Sequence, residues 1–219
     1  MKQIAVILSG CGVFDGSEIH EAVLTLLALE RAGAKAICAA PNLDQREVVD
    51  HFGGKVNPDE FRNVLEESAR IARGTITKIS SLDLNALDAI IFVGGFGVAK
   101  NLSSFASDGA EYDVDPMIRN LIEDAHQAGK PQGFMCIAPV LAAAVLGAHK
   151  VQITIGQDSE TATKLAARGA QALPCAVDAV IVDATHKIVT TPAYMEAKNL
   201  LEVEDGINKL VQSLLKLCA

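Results

Sequence analysis

The chain has 219 residues, half of them hydrophobic (50%), and its 19 basic against 27 acidic side chains give a formal net charge of −8. That charge repels polyanions, so nucleic acid is not expected as a partner, while the apolar content suffices for a core covered on both sides. The run Met1 to Gly10 is apolar but too short and glycine-broken for a secretory leader, and no later stretch reaches membrane-spanning length. A soluble, cytoplasmic protein without a membrane partner is therefore expected.

In chain order, Ile4 to Leu8, Glu18 to Arg31 and Ala36 to Ala40 read as strand, helix and strand, with Gly33 ending the helix: a βαβ unit. A polar stretch, Asn42 to Glu60, precedes helical spacing over Glu60 to Arg73, and Ala89 to Val93 is a buried strand. A second polar stretch, Ser103 to Pro116, leads to an amphipathic helix, Met117 to Ala128, stopped by Gly129 and Pro131. Gly133 to Met135 is a strand that runs through Cys136 into an Ala-rich helical segment. Ala179 to Val182 and Glu202 to Leu217 supply a last buried strand and a C-terminal helix. Near-continuous apolar strands alternating with helices predict an α/β fold, a doubly wound, mostly parallel, flavodoxin-like sheet with helices on both faces. No linker or repeat divides it, so residues 1–219 are expected to form one domain.

The five cysteines, Cys11, Cys38, Cys136, Cys175 and Cys218, are widely spaced with no C-x-x-C, which indicates reduced thiols rather than disulfides or a zinc cluster. Cys38 lies inside a buried strand and reads as a core thiol. Cys136 differs, because a thiol at a strand-to-helix turn sits against unpaired N–H groups and the positive end of a helix dipole, which favour the thiolate. In open α/β sheets the residues after each strand converge on one crevice. Here those junctions bring an acidic segment (Asp15 to Glu21), the run Gly94-Gly95-Phe96-Gly97 and Cys136-Ile137 together. Gly94 admits a ligand close to the backbone, and the N–H groups of Gly95 and Ile137 are candidate oxyanion donors. The glycine run lacks the G-x-G-x-x-G spacing of a dinucleotide site.

Glu18 and Glu21 lie three residues apart at the start of the first helix, and either can face the thiol. The plainer reading makes them dipole partners, with Ser17 as N-cap. A carboxyl held beside sulfur in a dry pocket has a raised pKa and can shuttle a proton. Cys11 and His20 are candidate pocket residues. No histidine follows Cys136, so no Cys-His pair is apparent locally.

Four segments, Ile7 to Glu21, Gly94 to Leu102, Phe134 to Pro139 and Val189 to Met195, resemble the ElbB group of the class I glutamine amidotransferase-like superfamily, which includes PfpI proteases and the parkinsonism-associated deglycase. ElbB proteins, also called sigma cross-reacting proteins and linked to isoprenoid biosynthesis, are regarded as glyoxalases. The resemblance implies a cofactor-free, metal-free lyase that converts a small dicarbonyl, glyoxal or methylglyoxal, to glycolate or lactate through a Cys136 hemithioacetal. It matches Cys136 to the superfamily's elbow cysteine, Glu21 to its helix-one glutamate with Glu18 as the alternative, and Gly95 and Ile137 to its oxyanion hole. The histidine that follows the cysteine in some PfpI relatives is replaced by Ile137, which weakens a peptidase or amidase reading. Superfamily relatives are often dimers, so a homodimer is implied. The rival expectation is a redox-responsive protein acting through oxidation of Cys136.

Overall fold

A computed structural model describes residues 1–218. Its first half contains β1 (Gln3–Ile7), α1 (Ile19–Arg31), β2 (Lys35–Ala40), the two-stranded ribbon β3 (Val49–Asp50) and β4 (Lys55–Val56), α2 (Val64–Ile71), β5 (Thr77–Lys78), β6 (Ala89–Phe92) and two short helices, α3 (Phe96–Lys100) and α4 (Phe105–Asp108). The second half contains α5 (Pro116–Gln127), β7 (Gln132–Met135), α6 (Pro139–Leu146), β8 (Gln152–Ile153), α7 (Ser159–Ala167), β9 (Gln171–Ala172), β10 (Ile181–Asp183), β11 (Ile188–Thr191) and α8 (Leu200–Leu217).

The main sheet has seven strands in the order β10-β11-β7-β6-β1-β2-β5, parallel throughout except for the β10–β11 pair. Alternation along β1 assigns the two faces. Ile4, Val6 and Leu8 pack with Ala22 and Leu29 of α1 and with Ile207 and Leu210 of α8, whereas Ala5 and Ile7 belong to the core formed with Ile118 and Ile122 of α5 and Leu141 of α6. The expected doubly wound α/β architecture is present. Gly133 shows why the middle of the sheet tolerates a glycine: a Cβ there would press on Leu210 Cδ2 at 3.0 Å, so its absence lets α8 lie close to β7.

Two expectations need correction. Residues 179–182 do not form a buried parallel strand. The strand begins at Ile181, runs antiparallel at the sheet edge, and leaves Val182 39% exposed. The parallel strand beside β7 on the side away from β6 is β11, whose two threonines obscure its apolar pattern. Both are fully buried and satisfied: Thr190 Oγ1 accepts from Thr154 N at 2.9 Å, and Thr191 Oγ1 donates to Ala179 O at 2.8 Å. The second helix starts at Val64 rather than Glu60, because Asn63 caps it by accepting from the N–H groups of Leu65 and Glu66. Of the two polar stretches, the first carries the β3–β4 ribbon and the second carries α4.

Phe92 and Phe134, on adjacent strands, stack at 4.8 Å with ring planes 3° apart, and both are fully buried. Phe134→Ala is expected to cost about 3–5 kcal/mol, read as a lowered urea midpoint with an unchanged slope.

Candidate active site

The carboxyl ends of β1, β6 and β7 meet where strand order reverses, and each junction contributes one component. At the end of β7 the backbone turns sharply into α6. Cys136 sits on this turn at φ 57°, a left-handed conformation that L side chains resist, and its N–H donates to Thr191 O at 3.1 Å. The turn aims the sulfur at the end of β6. There Gly94 is the point of closest approach, since a Cβ on it would collide with Cys136 Cβ and Glu21 Oε2 and lie 3.0 Å from Cys136 Sγ. Only glycine leaves room for all three groups. Gly95, at φ 101°, turns the chain so that its N–H, like that of Ile137, is directed at the sulfur.

The structure resolves the choice between the two acids. Glu18, not Ser17, is the N-cap of α1, and its Oε2 accepts from Glu21 N at 2.7 Å. Ser17 turns inward, its Oγ accepting from Ser9 N at 2.8 Å. Glu21, one turn on, is completely buried with its carboxyl within hydrogen-bonding reach of the Cys136 sulfur. Two backbone amides hold it: Gly94 N donates to Oε2 at 3.1 Å and Tyr194 N to Oε1 at 3.2 Å. Glu18 is 8% exposed and lines the cavity above the sulfur.

The electrostatics differ from the expected thiolate. Burial first, and the Glu21 carboxylate second, push the Cys136 thiol well above its ordinary range, against the pull of the Gly95 and Ile137 N–H groups. Burial also raises Glu21 to about 8, with the nearby Glu18 as the next cause. The helix dipole invoked from sequence belongs to an eight-residue helix and does not overcome removal of the sulfur from water beside an acid. Sulfur and carboxyl thus compete for a proton in one dry site.

His20 reaches the rim of the site, its Nδ1 2.9 Å from the Tyr194 hydroxyl, but its side chain is 54% exposed and lies beside Glu18 rather than sulfur. Cys11 does not line the Cys136 cavity. The glycine turns at Gly10 and Gly12 carry it towards α2, where its charged neighbours include Glu67 and Arg70 and burial raises its pKa. Asp15 is likewise structural, its Oδ2 accepting from Val49 N at 2.8 Å.

Three residues outside the predicted set, Ala193, Tyr194 and Asn101, shape the site. Ala193, at φ 45°, bends the chain after β11 so that the Tyr194 amide meets Glu21. Asn101 ties the glycine-rich loop after β1 to α3, its Nδ2 donating to Ser9 O at 2.9 Å and Asp15 O at 2.8 Å. The only sequence signal for these residues was their inclusion in the motifs that resemble ElbB.

Gly94→Ala is expected to destabilise the protein by about 1–3 kcal/mol and to slow iodoacetamide labelling of Cys136, measured by intact-mass spectrometry. A carboxyl whose pKa is raised on folding stabilises the fold fully below its ordinary value of 4.5, and that contribution is lost as pH rises to about 8. Over that window the stability of wild type should fall relative to Glu21→Gln, by at most about 1.4 kcal/mol per pH unit, as read from paired denaturant titrations.

No family model matches the chain. The glutamine amidotransferase-like class 1 domain-containing protein 3, mitochondrial, of Homo sapiens is 46% identical over 224 residues, covering 98% of this chain and 83% of that protein. The ES1 protein homolog, mitochondrial, of Rattus norvegicus is 45% identical over 98% of this chain and 84% of its own length. Among solved structures, an isoprenoid biosynthesis protein with an amidotransferase-like domain from Ehrlichia chaffeensis superposes with a TM-score of 0.94 at 37% identity, covering 100% of both chains. A ThiJ/PfpI domain protein from Brachyspira murdochii shares the fold, with a TM-score of 0.58 and 17% identity over 98% of this chain and 96% of that one. The mitochondrial names overturn the expected cytoplasmic location. That expectation leaned on the apolar N-terminal run, which contains β1, a strand of the core. With relatives this similar over nearly its full length, the chain belongs to the class I glutamine amidotransferase-like family that includes the ES1 proteins.

Proposed function

We propose that this protein is a cofactor-free glyoxalase of the ElbB branch, acting on a 2-oxoaldehyde through Cys136. The 37% identical isoprenoid biosynthesis protein with an amidotransferase-like domain supports the superfamily to which that branch belongs. The observation that carries the activity is the contact between the Cys136 sulfur and the buried Glu21 carboxyl, with two backbone N–H groups directed at the same sulfur.

In the reactive form the proton resides on Glu21 and the anionic sulfur accepts from the Gly95 and Ile137 amides. Sulfur adds to the aldehyde carbon, Glu21 protonates the new oxygen, and the amides stabilise its charge as it develops. The Glu21 carboxylate then removes the hydrogen from that carbon, giving an enediolate. It returns the proton to the neighbouring carbon, while the hydroxyl proton moves to the second oxygen, leaving a thioester. Water cleaves the thioester to the 2-hydroxy acid and frees the thiol. No outside oxidant or reductant is needed, because one carbon is oxidised as its neighbour is reduced. Glu21 suits this exchange, since a pKa of about 8 lets it give up and recover a proton near neutrality.

Cys136→Ala should abolish consumption of methylglyoxal, and Glu21→Gln should lower kcat about 10²–10⁴-fold. Glu18→Gln keeps an oxygen to cap α1 and should cost far less. Unchanged lactate formation by Cys136→Ala would refute the proposal. Selective peroxide oxidation of Cys136 in a protein without turnover would favour a redox role instead.

A further inference from the structure

We infer that the oxoaldehyde used at this site bears a bulky apolar group, aryl or branched alkyl, rather than the hydrogen or methyl of glyoxal and methylglyoxal; this rests on the glyoxalase reading. The cavity above Cys136 holds about 320 Å³, with walls formed chiefly by Val13, Phe96, Phe105, Ile137, Tyr194 and Met195. Pockets of roughly 300–1,000 Å³ suit ligands of drug-like size. The smallest dicarbonyls would fill a fraction of this space, touch few of its walls, and leave water beside an adduct that must be kept from premature hydrolysis.

The neutral polar groups of the cavity walls are already bonded within the protein, the Tyr194 hydroxyl with His20 Nδ1 at 2.9 Å and Thr161 Oγ1 with Asp158. The charged lining side chains are Glu18 and Asp158. Asp158 is committed to capping α7, with Oδ1 accepting from the N–H groups of Glu160 and Thr161, both at 3.1 Å, and Oδ2 from Thr161 Oγ1 at 2.7 Å. Glu18 caps α1 and lines the cavity, so a substrate carboxylate or phosphate would meet another acid there rather than a cation. Aromatic walls in contrast reward a flat apolar body.

The apolar surface also continues outward. A second cavity of about 500 Å³ shares the Phe96, Phe105 and Ile137 wall and extends past Phe14 towards Val49 and Val56 of the β3–β4 ribbon. Phe96 is 51% and Phe14 39% exposed at this opening, and contiguous exposed apolar surface of this kind marks binding grooves. Lys100 and Lys164 stand over the rings of Phe96 and Phe105, at 5.7 and 5.8 Å from their centroids. Each ammonium is already paired, with Glu47 and Glu160 respectively, both at 2.7 Å. They therefore extend the apolar rim with their stems rather than offer a free anion site.

The test compares kcat/KM for phenylglyoxal and methylglyoxal in wild type and Phe105→Ala. Wild type should prefer phenylglyoxal by at least about tenfold, and the ratio of the two constants, which is insensitive to the amount of folded enzyme, should fall at least about tenfold in the variant. A wild-type preference for methylglyoxal, or a ratio unmoved by Phe105→Ala, would overturn the inference and leave the glyoxalase reading standing. If neither compound is consumed, that reading fails, and the cavity is judged by a readout that needs no turnover. In that readout, 1-phenyl-1,2-propanedione should protect Cys136 from iodoacetamide at a concentration at least about tenfold below that of 2,3-butanedione. Equal protection by the two diketones would overturn the inference.

Discussion

One contact organises this protein: a buried carboxyl and a buried thiol held against each other at the meeting of three strand ends. Neither group is comfortable there. Removal from water raises both, and the Glu21 carboxylate raises the thiol further, so the fold must supply the stabilisation that solvent no longer provides. It does so with backbone amides, two on the carboxyl from Gly94 and Tyr194 and two directed at the sulfur from Gly95 and Ile137. Amides of a rigid sheet edge are suited to this task, because they carry no charge of their own and cannot turn away.

Holding the pair requires strain and space. Cys136 and Ala193 both occupy left-handed backbone conformations without being glycine, and they flank Glu21 from the ends of adjacent parallel strands. Gly94 supplies the space, since any side chain there would occupy the volume in which sulfur and carboxyl meet. The loop after β1 is fixed from several directions. Asn101 anchors its backbone carbonyls, Ser17 ties it to Ser9, and Asp15 joins it to the start of the β3–β4 ribbon. A set of buried polar bonds therefore holds the α1 N-terminus, and with it Glu18 and Glu21, at a constant distance from β7.

The acids show how neighbouring residues of one type divide their work. Glu18 caps the helix and stays in touch with the cavity, whereas Glu21 is drawn under the sheet edge beside Thr25, whose hydroxyl donates to the Glu21 carbonyl at 2.7 Å. The charge on Glu18 in turn helps keep the Glu21 proton in place. The cavity above the sulfur is lined by Glu18 together with the side chains of Phe96, Phe105 and Tyr194.

Much of the architecture was legible in the residues themselves. Apolar runs at Ile4, Ala36, Ala89 and Gly133 announce parallel strands because burial on both faces leaves no room for alternation. A cysteine and a glycine pair directly after two of those strands mark the crevice. The strand holding Thr190 and Thr191 was hidden because its polar atoms are satisfied by partners distant in sequence. The competition between Glu18 and Glu21 was likewise open, since helical spacing puts both on similar faces and only the location of the cap separates them. Sequence by itself determined the layered sheet and the reactive turn, for these depend on local periodicity and on where strands end. Tertiary structure alone decided which acid meets the sulfur, where Cys11 points, and in which direction burial moves the thiol, because those outcomes depend on how completely distant segments exclude water from one another.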